Sequence, residues 1–259
     1  MAEGSNLEGS ELNEPMAKPV NSGPQKSPAT RRKVIAILIL GLLGLLGIGG
    51  YLIGLQVQSS AKRVLSENNV RVQILAIHNY ESSLGVLPKQ GSNGLSWRVH
   101  ILPFLKEEHL YKRFNLDEPW DSPNNIQLIT EMPDSFFCQS LPDLPTGFTI
   151  YQVPYTDLKS NPEVETSALF DNTGNPISLD DVTDGSSNTI AIIEVDATAA
   201  VEWTKPVDWE YKPSDPMHDL GNVHPGVIVV AMADAVTSAI PANTPPEEFK
   251  AMITRNGGE

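Results

Sequence analysis

Hydrophobic positions change rhythm three times along this chain. Val34 to Leu55 is an apolar run of 22 residues without a charge. A helix over that run, at about 1.5 Å per residue, is about 33 Å long and crosses a hydrocarbon core of about 30 Å. From Gln56 to Tyr80 there is no Pro or Gly, and Val57, Val64, Leu65, Val72, Leu75 and Ile77 recur near a helical period, separated by Lys62, Arg63, Glu67, Asn68 and Arg71. The pattern predicts a membrane helix that continues outward and lays its apolar face against a sheet.

The middle of the chain reads as short helices. Ser96 caps one from Trp97 to Leu102, Pro103 interrupts it, and Lys106 to Phe114 resumes with Leu110 and Phe114 four apart. Ser122 followed by Pro123 starts another from Asn124 to Glu131, which Met132-Pro133 ends. Gly91-Ser92-Asn93-Gly94 is a loop. From Ser135 the rhythm becomes short β-rich runs: Ser135 to Cys138, Thr149 to Val153, Ser167 to Phe170, Thr189 to Val195, Val227 to Met232 and Val236 to Ile240. Thr244-Pro245-Pro246-Glu247 has the form of a capping box for a last helix to about Thr254. A long helix, short helices and then strands imply an α+β domain with an antiparallel sheet.

Composition and charge sharpen this into an organisation. Residues 1–33 are rich in Gly, Ser, Pro, Asn and Glu and poor in large apolar side chains, the signature of a disordered tail. The expected parts are that tail at 1–33, a transmembrane helix at 34–55 and an exported domain at 56–259. Arg31, Arg32 and Lys33 abut the span on one side, and on the other the first bases are Lys62 and Arg63. The positive-inside bias therefore keeps the tail in the cytoplasm and places the large domain outside the cytoplasmic membrane. A cleaved signal peptide is the rival, with small residues at Ser59-Ser60-Ala61. Its apolar region is about twice the usual length, which favours an uncleaved anchor. After Leu55 the chain holds 28 acidic and 13 basic residues, a balance with no footprint for nucleic acid. The single cysteine, Cys138, excludes an intramolecular disulfide framework and reads as a buried apolar residue beside Phe136 and Phe137.

Partners are suggested only by spacing. Gly41, Gly44, Gly47, Gly50 and Gly54 recur every three or four residues within the span, and Gly50 to Gly54 is a GxxxG. The bilayer is the expected first partner, with self-association or other protein partners beside it.

Several ordered motifs resemble the bacterial domain of unknown function 1559. They are Ser66-Glu67-Asn68-Asn69 leading to Ala76-Ile77-His78-Asn79-Tyr80; Ser96-Trp97-Arg98-Val99 with Leu102-Pro103-Phe104; Asn115 to Pro123; Thr183-Asp184-Gly185-Ser186-Ser187-Asn188-Thr189; and Trp203-Thr204-Lys205-Pro206. His224-Pro225-Gly226 with Asp234 is similar to that family's H-X9-DG mark, and the chain closes on Ile253 to Glu259. The resemblance implies a pilin-like exported domain with no known activity, in which Trp97, Asp184, Gly185, Asn188, Trp203, His224 and Asp234 are structural positions. Two departures stand out. Lys33 runs straight into Val34-Ile35-Ala36 without a prepilin cleavage sequence, and Ala235 replaces the motif glycine, which strains any left-handed turn by about 1 kcal/mol.

Candidate chemistry is thin. A strand from Val227 to Met232 separates His224 from Asp234 by roughly 25 to 33 Å, too far for one site. Asp180, Asp181, Asp184, Ser186 and Asn188 could surround Ca²⁺, but Val182 and the missing later glutamate break the EF-hand pattern. His78 reads as a packing or capping residue. Glu107-Glu108 and Asp117-Glu118 are adjacent pairs whose side chains diverge. There is no G-x-S-x-G, H-E-x-x-H, P-loop, dinucleotide fingerprint or paired C-x-x-C. The expectation is a structural or interaction protein without catalysis and without a cofactor or metal. A glycan-binding module would instead expose Trp120, Trp203 and Trp209 around one concavity. An enzyme or metal protein would gather His100, His109, His218 or His224 with carboxylates.

Overall fold

The structure is a computed structural model that describes residues 28–89, 94–157, 168–171 and 176–258. It divides into two units at Ile53/Gly54. The long helix α1 runs Pro28–Leu84, so helix begins ahead of the apolar run and includes Arg31, Arg32 and Lys33. The expected tail therefore loses residues 28–33, and the rest of it lies outside the described residues, as do Gly91 to Asn93 and Ser167. Among the described residues the most apolar window of α1 carries no buried side chain and has a mean hydropathy of 2.4.

The second unit is α+β. Its central sheet has the order β2 (Tyr151–Gln152), β5 (Ile190–Glu194), β7 (Val227–Met232) and β8 (Thr237–Pro241), all antiparallel. β1 (Phe148–Thr149) pairs with β6 (Val201–Glu202) antiparallel, and the two-residue strands β3 (Tyr155–Thr156) and β4 (Phe170–Asp171) form a small parallel pair. Every residue of β5 is buried, which is why it is a continuous Ile-Ala-Ile-Ile run instead of an alternating one. Four large side chains of the core, Ile192, Ile193, Val229 and Val230, have no exposed surface. Each such burial is worth roughly 1.5–3 kcal/mol.

α1 meets this sheet through a face other than the one its apolar period marks. The buried residues are Ser66, Asn69, Val70, Gln73, Ile74, Ala76 and Ile77, whereas Val57, Val64, Leu65, Val72 and Leu75 are exposed. Of the expected inward set only Ile77 is inside. The inward polar side chains reach backbone and hydroxyl partners that a methyl group could not: Asn69 Nδ2 donates to Phe137 O at 2.8 Å and Gln73 Nε2 to Ser135 O at 2.7 Å. At the sheet's far side Arg71 donates to Thr237 Oγ1, and His78 bonds Ala233 O at 2.8 Å, a packing role.

The short elements differ from the sequence pattern for local reasons. α2 is confined to Trp97–His100, with Ser96 Oγ accepting from Arg98 N, and Pro103 sits in a separate 3-10 turn, Leu102–Leu105. The expected Lys106 to Phe114 helix shrinks to α3 (Glu108–Tyr111), because Lys106 adopts φ 66 and breaks the helical path. Asn125–Glu131 is a 3-10 helix, held by Asn125, whose Nδ2 donates to the carbonyls of Asn115, Glu118 and Pro119. The expected strand at Ser135 is a 3-10 turn, Asp134–Phe136, since Phe136 N and Phe137 N bond Pro133 O and Asp134 O locally. Phe136 is thereby delivered to the core, stacked 5.8 Å from Trp203. The last helix, α4, is Pro246–Ile253 and lacks the capping box: Thr244 Oγ1 turns back to donate to Pro241 O at 2.7 Å.

Candidate functional site

Three of the sequence motifs converge at one end of the central sheet. Asp184 accepts hydrogen bonds from the backbone N–H groups of Gly257 and Gly258, and Thr183 N donates to Arg255 O at 2.8 Å. Gly185 has φ +95, a conformation that strains a residue with Cβ, and this turn lets Asn188 N reach Gly185 O and Asn188 Nδ2 reach Asp184 O at 3.1 Å. From the β7–β8 turn, Asp234 N donates to Ser186 O at 3.0 Å, and Ala233 N donates to Thr189 O. Asp234 also closes its own turn by accepting from Val236 N at 3.0 Å, as a hairpin residue does. Ala235 sits at φ 68, the strained left-handed position that glycine would occupy without strain.

Two of the candidate oxygen ligands, Asp181 and Asp184, are engaged by protein donors. Asp181 accepts from Ser178 N at 2.7 Å, which holds its carboxyl below the usual range, and Asp184 is occupied by the C-terminal backbone. Among the described residues no group of three His, Cys, Asp or Glu side chains could hold a metal ion. A cavity of about 270 Å³ lies here, lined by Asp184, Ser187, Asn188, Met232, Glu248 and Met252.

The two tryptophan motifs lie in the core instead. Trp97 Nε1 donates to Asp208 Oδ1 at 3.1 Å, and Trp203 Nε1 to Ile129 O at 2.9 Å. Ser96 N donates to Thr204 O, tying the two segments together. Between them lies an ion pair without solvent exposure: Arg98 Nη2 meets Asp208 Oδ1 at 2.6 Å, and Arg98 also donates to Tyr151 O and Ser96 Oγ. Burial lowers the Arg98 pKa and raises that of Asp208, each opposed by the charge of the other. Sequence inspection did not single out Asp208, and Arg98 entered only as a motif letter.

His224 belongs to a second buried polar cluster. Its Nε2 lies 3.3 Å from Glu194 Oε2, too far off line for a hydrogen bond. Ser66 Oγ donates to Glu194 Oε1 at 2.6 Å and lies 2.9 Å from the Tyr151 hydroxyl, to which Asn69 also donates. Cys138 Sγ is 3.9 Å from Glu194 Oε1. Burial, with Glu194 nearby, pushes the Cys138 thiol up, the reverse of what a nucleophile needs. Burial also holds the Tyr151 phenol well above its ordinary value. These side chains lie within the core, at 3% relative exposure or less for Ser66, Cys138, Tyr151, Glu194 and His224.

The remaining candidates scatter. Trp203 and Trp209 are buried and Trp120 is half-buried under Lys205, so the three do not form one exposed aromatic platform. His218 stacks on Trp209 at 4.9 Å. Glu108 pairs with Lys112 on the surface, and Glu107 lines a separate cavity of about 360 Å³ with Val72, Glu131 and Asp134.

The fold thus defines an α+β domain carried behind an N-terminal helix long and apolar enough to cross a membrane, the form of an anchor or a signal sequence. The chain belongs to the family "Protein of unknown function (DUF1559)", which matches residues 57–221. The match ends before His224, Asp234 and the closing segment, although these meet the matched Glu194, Ser186 and Asp184 in turn. No curated protein and no solved structure matches the chain.

Proposed function

We propose that this protein is a single-pass protein of the cytoplasmic membrane, with its N-terminus inside and its pilin-like domain exported, serving a structural or protein-interaction role without catalysis. The observation that carries this reading is how its motif side chains are used. Asp184, Trp97, Trp203 and Arg98 bond other parts of the same domain, Asp234 closes its own turn, and His224 is enclosed against Glu194. Motif residues of an enzyme would instead converge on an accessible cleft. Arg31, Arg32 and Lys33 beside the apolar run support the orientation, and the strongly acidic balance after it suits a soluble exported domain.

The test is protease treatment of intact spheroplasts, with the C-terminus and the full-length chain followed by blotting of the membrane fraction. Digestion of a full-length membrane species from outside is the expected result. Protection of the C-terminus would reverse the topology, and a shortened soluble species would replace the anchor with a cleaved signal.

A further inference from the structure

The outward face of α1 beyond the span is apolar and largely uncovered by the domain, which approaches it at Val72, on the wall of the cavity with Glu107 and Glu131. Val57 is 63% exposed, Val64 56%, Val72 39% and Leu75 48%, and Ala61 and Asn68 lie exposed in the same row. The positions 57, 61, 64, 68, 72 and 75 are separated by steps of four or three, the spacing of a seam between two packed helices. The extra four-residue step at 68 to 72 is a stutter, which locally relaxes the supercoil towards a straight helix. In the sequence the same steps run back through Gly54, Gly50 and Gly47.

We propose that this seam is covered by the α1 helix of a second copy of the chain, parallel and in register. Three features select that occupant. Copies threaded through one membrane in one direction present the seam in the same orientation, so a two-fold axis places every residue opposite its own image. Asn68 sits in the middle of the row, and a lone Asn in such a seam pairs with itself and fixes both register and strand number. Charge points the same way. Residues 56–84 carry Lys62, Arg63 and Arg71 against Glu67 and Glu81, whereas the rest of the exported part is strongly acidic. The helix is therefore where two such domains approach with least repulsion.

Area sets the terms of the association. From Val57 to Leu75 the seam is about 27 Å long and about 10 Å wide, a few hundred Å² per copy against the roughly 800 Å² per partner of a stable interface. The dimer therefore depends on the shared membrane, which aligns the copies, concentrates them and adds the glycine-spaced part of the helix. The parallel orientation rests on the membrane-anchored reading above.

Single cysteines introduced into the full-length chain in its native membranes test this by oxidative cross-linking. The wild-type chain, whose Cys138 is buried, is the control. Ala61→Cys, Val64→Cys and Asn68→Cys should give a product of twice the chain mass at least tenfold more abundant than Gln56→Cys or Lys62→Cys, which lie off the seam. Val64→Arg placed in the Asn68→Cys background should remove that product. Equal cross-linking at all positions, none at any, or a product of another mass would overturn the seam dimer while leaving the anchor intact. A chain missing from the membrane fraction of the same preparation would overturn both.

Discussion

The two faces of α1 beyond Gly54 are both part apolar and differ in their polar residues. Inward it presents Ser66, Asn69 and Gln73 among Val70, Ile74 and Ile77, and outward it presents Val57, Val64, Val72 and Leu75. A helix held only by the hydrophobic effect would not bury Ser66, Asn69 and Gln73 while leaving Val57, Val64 and Leu75 outside. The difference teaches that the inward face is chosen for direction: each polar side chain fixes where the helix meets β2, β5 and the segment before β1. An unpartnered polar group at those places would cost about 1–3 kcal/mol, so a rotated helix loses several at once. The outward face has no such constraint within the domain and is free to serve a neighbour.

The comparison breaks most sharply at Glu194, which accepts from Ser66 and lies against His224. Glu194→Ala should destabilise the domain by about 3 kcal/mol, through a cavity and a buried hydroxyl left without its acceptor. Denaturant unfolding of the detergent-solubilised chain measures it. A matched pair on the helix itself comes next. Ser66→Ala should cost about 1–3 kcal/mol, while Val64→Ser, two residues away on the exposed face, should stay within about 0.5 kcal/mol in the same assay. Equal losses from the two would erase the distinction between the faces.

A smaller effect of opposite sign is expected where the β7–β8 turn meets the end of α1. Ala235→Gly should stabilise by about 0.5–1 kcal/mol, because φ 68 strains alanine and not glycine. A raised Tm without a change in far-UV circular dichroism is the outcome that supports it. A last effect lies in alkali, away from the helix. Burial first, and Glu210 beside it, push the Tyr155 phenol up to about 12, against about 10 in an unfolded chain. Between those values the folded state holds a proton that the unfolded state has lost. Stability is therefore complete below pH 10 and falls as pH rises from about 10 to 12. Tyr155→Phe should flatten that alkaline decline, read as unfolding midpoint against pH.

Much of the fold was legible because it depends on neighbours in the chain. The apolar run from Val34, the β7 strand from Val227 to Met232 and the Asp234 turn each follow from local composition and spacing. Other elements were misjudged where a distant group decides the local backbone. Ser135 to Cys138 has strand composition, but Phe136 is drawn between Trp97 and Trp203 and the backbone turns to deliver it. Thr244 has the form of a cap, but its hydroxyl closes the turn after β8. On α1 the apolar period of Val57, Val64, Val72 and Leu75 lies outward while Val70, Ile74 and Ile77 face the sheet, since hydrophobicity alone does not say which of two faces a sheet will take. Arg98 illustrates the limit at the core: on a short helix arginine reads as solvent-facing, and only the arrival of Asp208 and the carbonyl of Tyr151 explains its burial.

What the sequence determined by itself, then, is what depends on composition and nearest neighbours: an apolar helix of membrane length, an acidic α+β domain behind it, and the family that residues 57–221 match. The tertiary structure alone decided which side of α1 faces in, that Asp184 holds the C-terminal backbone, and that Glu194, Ser66, Tyr151 and His224 share one buried cluster. Those pairings join residues far apart in the chain. Their partners are set by closure of the fold around buried polar groups, most of which find an acceptor or donor there, and no local pattern encodes that requirement.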